Sequence, residues 1–214
     1  MIWLFILEEI LLFVVIISFI NKHDKENALK VSLREFMTIG LLFTVMQVVL
    51  FSFYGYGREL ICHSLGLYYL MFAAFIDHKI KRVYRIGSIG FIFISLLLFF
   101  VVKDMSLYEK TERILWIMVF SIISIMQGTL GWTGWGDVFT YIGVFLSLGT
   151  WQYGCMTVEV LAVYMLFANL IFLISNIRKF DWKRLRMKAE VAFLPAMAAA
   201  MLVMEVLLQY LQKI

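Results

Sequence analysis

Gly131-Trp132-Thr133-Gly134-Trp135-Gly136-Asp137 separates two strongly apolar runs, and its reading decides what kind of molecule this chain is. Three glycines in seven residues resist settling into a helix and let another chain approach the backbone closely. Asp137 stands where the chain re-enters an apolar segment, Val138 to Leu148. An ionisable group at such a boundary is costly, which makes it a functional candidate by default.

Working outward, 63% of the 214 residues are hydrophobic and one is proline, with a mean hydropathy of +0.91. A soluble domain is roughly half apolar, and a soluble helical protein of this length has no way to hide the excess. Several runs reach or approach the roughly 20 apolar residues that span a bilayer. The expectation is an all-α polytopic membrane bundle with eight helices, at 2–20, 36–54, 60–77, 86–102, 114–130, 138–152, 155–177 and 190–211. The sixth is short against the usual range of about 17–25 residues. No repeat or linker marks a second domain, so 1–214 reads as one membrane domain, with amino-terminal helices over 1–58 and a core over 59–200.

The run that starts Met1-Ile2-Trp3 carries Glu8 and Glu9 and shows no small-residue cleavage pattern before Ile20. It reads as a retained helix. Cys62 and Cys155 form no CxxC pair, which excludes a four-thiolate zinc site. His63 beside Cys62 is too sparse for a metal centre, so neither metal nor cofactor is expected. The formal charge of +4 is a topology signal in such a chain rather than a nucleic-acid footprint.

Basic residues set the expected orientation. One set of loops holds Lys22, Lys25, Lys30 and Arg34; Lys79, Lys81, Arg82 and Arg85; and Arg178, Lys179, Lys183, Arg184, Arg186 and Lys188. The other holds Arg58, Lys103, Lys110, Arg113 and Lys213, five against fourteen. The richer set belongs in the cytoplasm, with the amino terminus outside. The loops at 78–85 and 131–137 then face the same compartment, and the short sixth helix must cross.

Five aspartates are present. Asp24, Asp104 and Asp181 lie in mixed-charge loops and read as solvated. Asp77 closes the apolar run Leu65 to Ile76, and Asp137 opens the next from the same side. Two carboxylates brought together do not both ionise readily. A pair sharing one proton lets one acid activate a water while the other polarises a scissile carbonyl. The plainer alternative pairs Asp77 with its basic neighbours and makes Asp137 a helix amino-terminal residue favoured by the dipole. Glu8, Glu9 and Glu159 read as interfacial, Glu205 as deeper or outward in the last helix, and Met197, Met201 and Met204 as packing. Trp132 and Trp135 fit an interfacial belt better than the walls of a groove.

Gly134-Trp135-Gly136-Asp137 is a GxGD motif, and here the chain resembles the GxGD membrane aspartyl proteases, most of all the type IV prepilin peptidases. In that family a first aspartate ends a helix before a short basic stretch, matched by Asp77-His78-Lys79-Ile80-Lys81-Arg82-Val83-Tyr84. The second precedes a helix with spaced glycines, matched by Asp137, Gly143 and Gly149, and a small-residue segment around a proline is matched by Ala192 to Ala198. The resemblance covers roughly residues 60–200. It departs at Tyr84, where a proline is usual, and at Phe139, where a lysine is common. The cysteine-rich region of the bifunctional members has no counterpart, so the resemblance is to the short, protease-only form.

The resemblance implies Asp77 and Asp137 as catalytic acids, with Gly134, Gly136 and Pro195 lining the substrate. It implies a prepilin-like substrate whose basic leader is cut at the cytoplasmic face of a bacterial plasma membrane. Two alternatives stand beside it. One is a presenilin-like protease, which the Ile76-Asp77 and Leu194-Pro195-Ala196 sequences match less well. The other is a transporter or scaffold whose aspartates relay protons or cations.

Overall fold

The computed structural model describes residue 14 and residues 31–55, 57–80, 85–101, 105–151, 157–181, 186–187 and 191–211. These residues form seven helices: α1 (Leu33–Tyr54), α2 (Arg58–Ile80), α3 (Arg85–Val101), α4 (Leu107–Thr129), α5 (Trp135–Gly149), α6 (Thr157–Ser175) and α7 (Leu194–Leu211). A single 3-10 turn, Ile177–Lys179, and a two-residue antiparallel pairing of Phe180 with Met187 lie between α6 and α7. The expected helix at 2–20 with Glu8 and Glu9 lies outside the described residues. So do Asp24, Tyr84, Asp104, Cys155 and the basic residues Lys22, Lys25, Lys30, Lys81, Arg82, Lys103, Lys183, Arg184, Lys188 and Lys213.

The chain divides into two compact units, Met1–Ser64 and Leu65–Ile214. In the first, the end of α1 meets the start of α2: the Tyr54 ring stacks on His63 at 4.0 Å, and Ser64 Oγ donates to Gln47 Oε1 at 3.4 Å. His63 is thus engaged as a packing group.

Among the described residues, four helices are long and apolar enough to cross a membrane: α1, the Leu60–Lys79 part of α2, α4 and α6. Shorter apolar helices run over Gly87–Val101 and Leu194–Tyr210. Polarity is distributed the wrong way round for water. Phe93, Leu97 and Phe100 of α3, Leu115, Met118, Ile122 and Met126 of α4, and Leu166, Leu170 and Ile174 of α6 are exposed. Asp77, Ser88, Ser95, Ser124, Asp137, Thr140 and Ser147 are buried. Apolar patches of that extent need lipid, and polar groups facing inward are what lipid demands. The molecule is a helical membrane protein.

Two helix starts come from local hydrogen bonding that the apolar pattern does not reveal. Ser32 Oγ accepts from Glu35 N–H at 3.3 Å while Glu35 Oε2 accepts from Ser32 N–H at 2.8 Å. Ser106 and Glu109 repeat the arrangement at 3.2 and 2.7 Å. These capping boxes start α1 at 33 rather than 36 and α4 at 107 rather than 114. The added turns of α4 carry Lys110 and Arg113.

Within Leu65–Ile214, α5 packs against α3, α4 and α6, and α6 against α4 and α7. Eleven of the fifteen residues of α5 are buried, so it is covered on nearly every side. Close approach is possible because its interfaces are small: a Cβ at Gly143 would run into the Phe91 ring, and one at Gly149 would lie 2.8 Å from Ile117 Cδ1. Tight contact through small residues is how helices associate where lipid is as apolar as they are.

With 15 residues, α5 is about 22 Å long at 1.5 Å per residue, well short of α4. Its carboxyl end therefore stops beside the flank of α4. There Arg113 Nη1 donates to the carbonyls of Gly149 and Trp151, both at 2.8 Å. Lys110 Nζ donates to the Phe100 carbonyl near the end of α3 at 3.3 Å.

Gly143→Leu should destabilise the folded protein by about 1–3 kcal/mol through overpacking against Phe91. Gly90→Ala, where an added Cβ meets nothing within 4 Å, should be neutral or stabilising. Thermal unfolding in detergent compares the two. Arg113→Met keeps the apolar stem but removes both bonds to the end of α5, so it should cost about 1.5–3 kcal/mol in the same assay.

Candidate functional site: the two-aspartate end

The Gly131–Asp137 stretch is a helix stop followed at once by a helix start. Gly131 adopts φ 72°, the left-handed conformation that glycine tolerates. Its N–H donates to the Gly128 carbonyl at 3.1 Å, and the Trp132 N–H to the Gln127 carbonyl at 2.9 Å. That pair of bonds is a Schellman motif, and it ends α4. Gly134 is extended at φ −74° and ψ 154°, and it caps α5. Asp137 lies in the first turn of α5, which begins at 135 rather than at the expected 138, and turns back so that its Oδ2 accepts from Gly134 N–H at 3.0 Å. A Cβ on Gly134 would lie 3.2 Å from that oxygen. The Gly136 carbonyl accepts from Thr140 Oγ1 at 3.0 Å. Gly131 and Gly134 thus have structural work of their own, apart from any approach of a substrate.

Asp77 is not at the end of its helix, as expected, because α2 continues to Ile80. It is 4% exposed, and its Oδ2 accepts from the Leu194 N–H at 3.0 Å. Leu194 is the first residue of α7, which begins at 194 rather than 190. Proline is tolerated only in the first turn of a helix, so Pro195 holds the start there. The Phe193 carbonyl accepts from Ala196 at 3.0 Å and Met197 at 3.3 Å, and Pro195 has no N–H. Every amide donor of that first turn is accounted for, and the Leu194 donor goes to Asp77.

Asp77 and Asp137 lie toward one end of the Leu65–Ile214 unit, and Pro195 follows the residue whose amide Asp77 accepts. Asp137 is 9% exposed and lies within electrostatic range of Asp77. Two flanking networks hold this end. On one side Tyr69 Oη donates to Ser88 Oγ at 2.9 Å, and Ser88 and Thr140 share a hydrogen bond at 3.1 Å, tying α2, α3 and α5 together. On the other, Tyr141 is fully buried among Phe145, Tyr164 and Phe193, and Asn169 Nδ2 donates to its hydroxyl at 3.4 Å.

Sequence reasoning did not single out Tyr69, Ser88, Thr140, Tyr141 or Asn169. Three of them left a signal. Thr140 and Tyr141 follow Asp137 at helical spacings of three and four, and Asn169 is a lone amide in the apolar run of α6. Gln127 Oε1 and Thr133 Oγ1, on either side of the helix stop, are buried without a hydrogen-bond partner. Trp132 and Trp135 are exposed, as is Glu159, whereas Glu205, Met197, Met201 and Met204 are buried.

Chemically, this end offers two carboxylates in a poorly hydrated setting, each oriented by a backbone amide, together with polar atoms that have capacity for further hydrogen bonds. Comparison of the chain with protein-family models, with curated proteins and with solved structures finds no match.

Proposed function

We propose that this chain is a membrane aspartyl endopeptidase that removes the basic leader of prepilin-like proteins. The observation that carries the reading is that Asp77 and Asp137, both buried, lie within electrostatic range of each other, with Asp77 bonded to the start of α7. One carboxylate takes a proton from water, which adds to the scissile carbonyl. The other, protonated, polarises that carbonyl, and a proton then passes to the departing amine. The substrate must be extended at the cut, because a helix hides its carbonyls in internal bonds. The topology that goes with this reading has eight crossings in a bacterial plasma membrane, the amino terminus outside and the acids at the cytoplasmic face.

A proton or cation carrier stands second. In its favour are the buried hydroxyls of Tyr69, Ser88 and Thr140. Against it, that chain ends on the Gly136 carbonyl, which holds no proton to pass on.

Reporter fusions at residues 26 and 183 should both read cytoplasmic; an external signal from either breaks the proposed topology. Co-expression of a pilin precursor with wild type, Asp77→Asn and Asp137→Asn, followed by gel, tests the chemistry. Each variant should insert normally and slow cleavage by at least about 100-fold, the scale of a lost general acid or base. Processing at the wild-type rate by either variant sinks the two-acid mechanism. Wild-type cleavage should also persist when the proton gradient is collapsed, which a carrier would not tolerate.

A further inference from the structure

We propose that the backbone amide of Leu194 is a positioning group for catalysis, so that docking of α7 on α2 sets the orientation of Asp77. This rests on the peptidase reading above and adds to it a residue that acts through an acid without touching the substrate. The two acids are held in unlike ways. Asp137 takes its amide from Gly134, three residues away on the same turn, so acid and donor move together. Asp77 takes its amide from Leu194, 117 residues away and on a different helix. A shift of α7 against α2 therefore disturbs Asp77 and leaves the bond to Asp137 intact.

The geometry leaves the donor little freedom. Leu194 and Met197 are fully buried and Phe193 nearly so, which fixes the start of α7 in the core. Ala196 and Met197 spend their N–H groups on the Phe193 carbonyl, and Pro195 has none to give. Leu194 supplies the single amide of that turn that leaves the helix, and it meets a buried carboxylate oxygen at 3.0 Å. The last helix is on this account a part of the active unit as well as a membrane anchor.

The direct test replaces Leu194 by its α-hydroxy analogue, which turns the N–H into an ester oxygen and keeps the side chain. Cleavage of a purified pilin precursor should show kcat lowered about 10- to 100-fold, the scale of a misplaced catalytic group, with KM nearly unchanged. An anchor that acts only by holding the fold would not produce that split. Wild-type kcat in the ester protein overturns the inference. If the ester protein does not insert, Leu194→Pro and Leu194→Ala decide the matter. Both shorten the side chain, and proline suits the first helical position while removing the N–H. Leu194→Pro should then be at least about 10-fold slower than Leu194→Ala, and equal rates overturn the inference. Asp77→Asn and Asp137→Asn run in parallel. Cleavage by either one defeats the peptidase reading itself, whereas two inactive variants beside a fully active ester protein defeat only the role given to Leu194.

Discussion

The finish of α5 at Gly149 to Trp151 is buried among protein side chains, where no water satisfies open backbone groups, and a polar side chain closes the helix at each end. Asp137 takes the Gly134 amide at the start, and Arg113 covers the Gly149 and Trp151 carbonyls at the finish. An unmet group in that setting costs several kcal/mol, so much of the surrounding architecture follows. Because α5 is short, its finish lies alongside α4, which must start early enough to carry Arg113; the Ser106–Glu109 capping box provides that start. Because α5 begins directly after α4 stops, the link must reverse the chain in a few residues, and Gly131 at φ 72° does so.

A similar cost bears on why buried acids stand at these two helix starts. An asparagine, serine or threonine caps a helix about as well as an aspartate, and burying a carboxylate costs more than burying an amide or hydroxyl. Capping therefore explains the position of Asp77 and Asp137 without explaining their charge. Two such substitutable acids, at neighbouring starts and within electrostatic range of each other, raise that cost further. A function that needs ionisable oxygens accounts for the excess. The proposed peptide hydrolysis would use both the oriented acids and the adjoining proline turn.

Much of this was legible in the sequence, to different depths. Helical spans and the prominence of Asp77 and Asp137 followed from apolar runs interrupted by acids, because lipid makes such interruptions costly. The starts of α1 and α4 lie ahead of the apolar runs because the Ser-x-x-Glu signatures Ser32–Glu35 and Ser106–Glu109 set them. The start of α7 lies four residues after the expected 190, since the apolar run carries no trace of the limit that Pro195 imposes. Arg113 was read only as a basic residue of a loop. Its role depends on where a different helix ends, and the bond from Leu194 to Asp77 likewise depends on which helices become neighbours. Neither pairing leaves a mark in local sequence.

Arg113 and Lys110 also change what the basic residues say about orientation. They lie with the poorer set, yet their side of the membrane follows from the α3 and α5 carbonyls that they bind. A charge with a partner inside the fold is a weaker topology signal than one in an unpaired loop. Under the proposed orientation the two acids then lie at the most basic face of the molecule, an unfavourable place for a basic leader to be drawn by net charge. Under the proposed function, recognition of such a substrate would fall to its apolar helix, which the lipid brings alongside. The basic loops are left to hold the molecule in register with anionic lipid headgroups. On the proposed reading, orientation and substrate choice would rest on different residues, and a change in the loops should alter the first without altering the second.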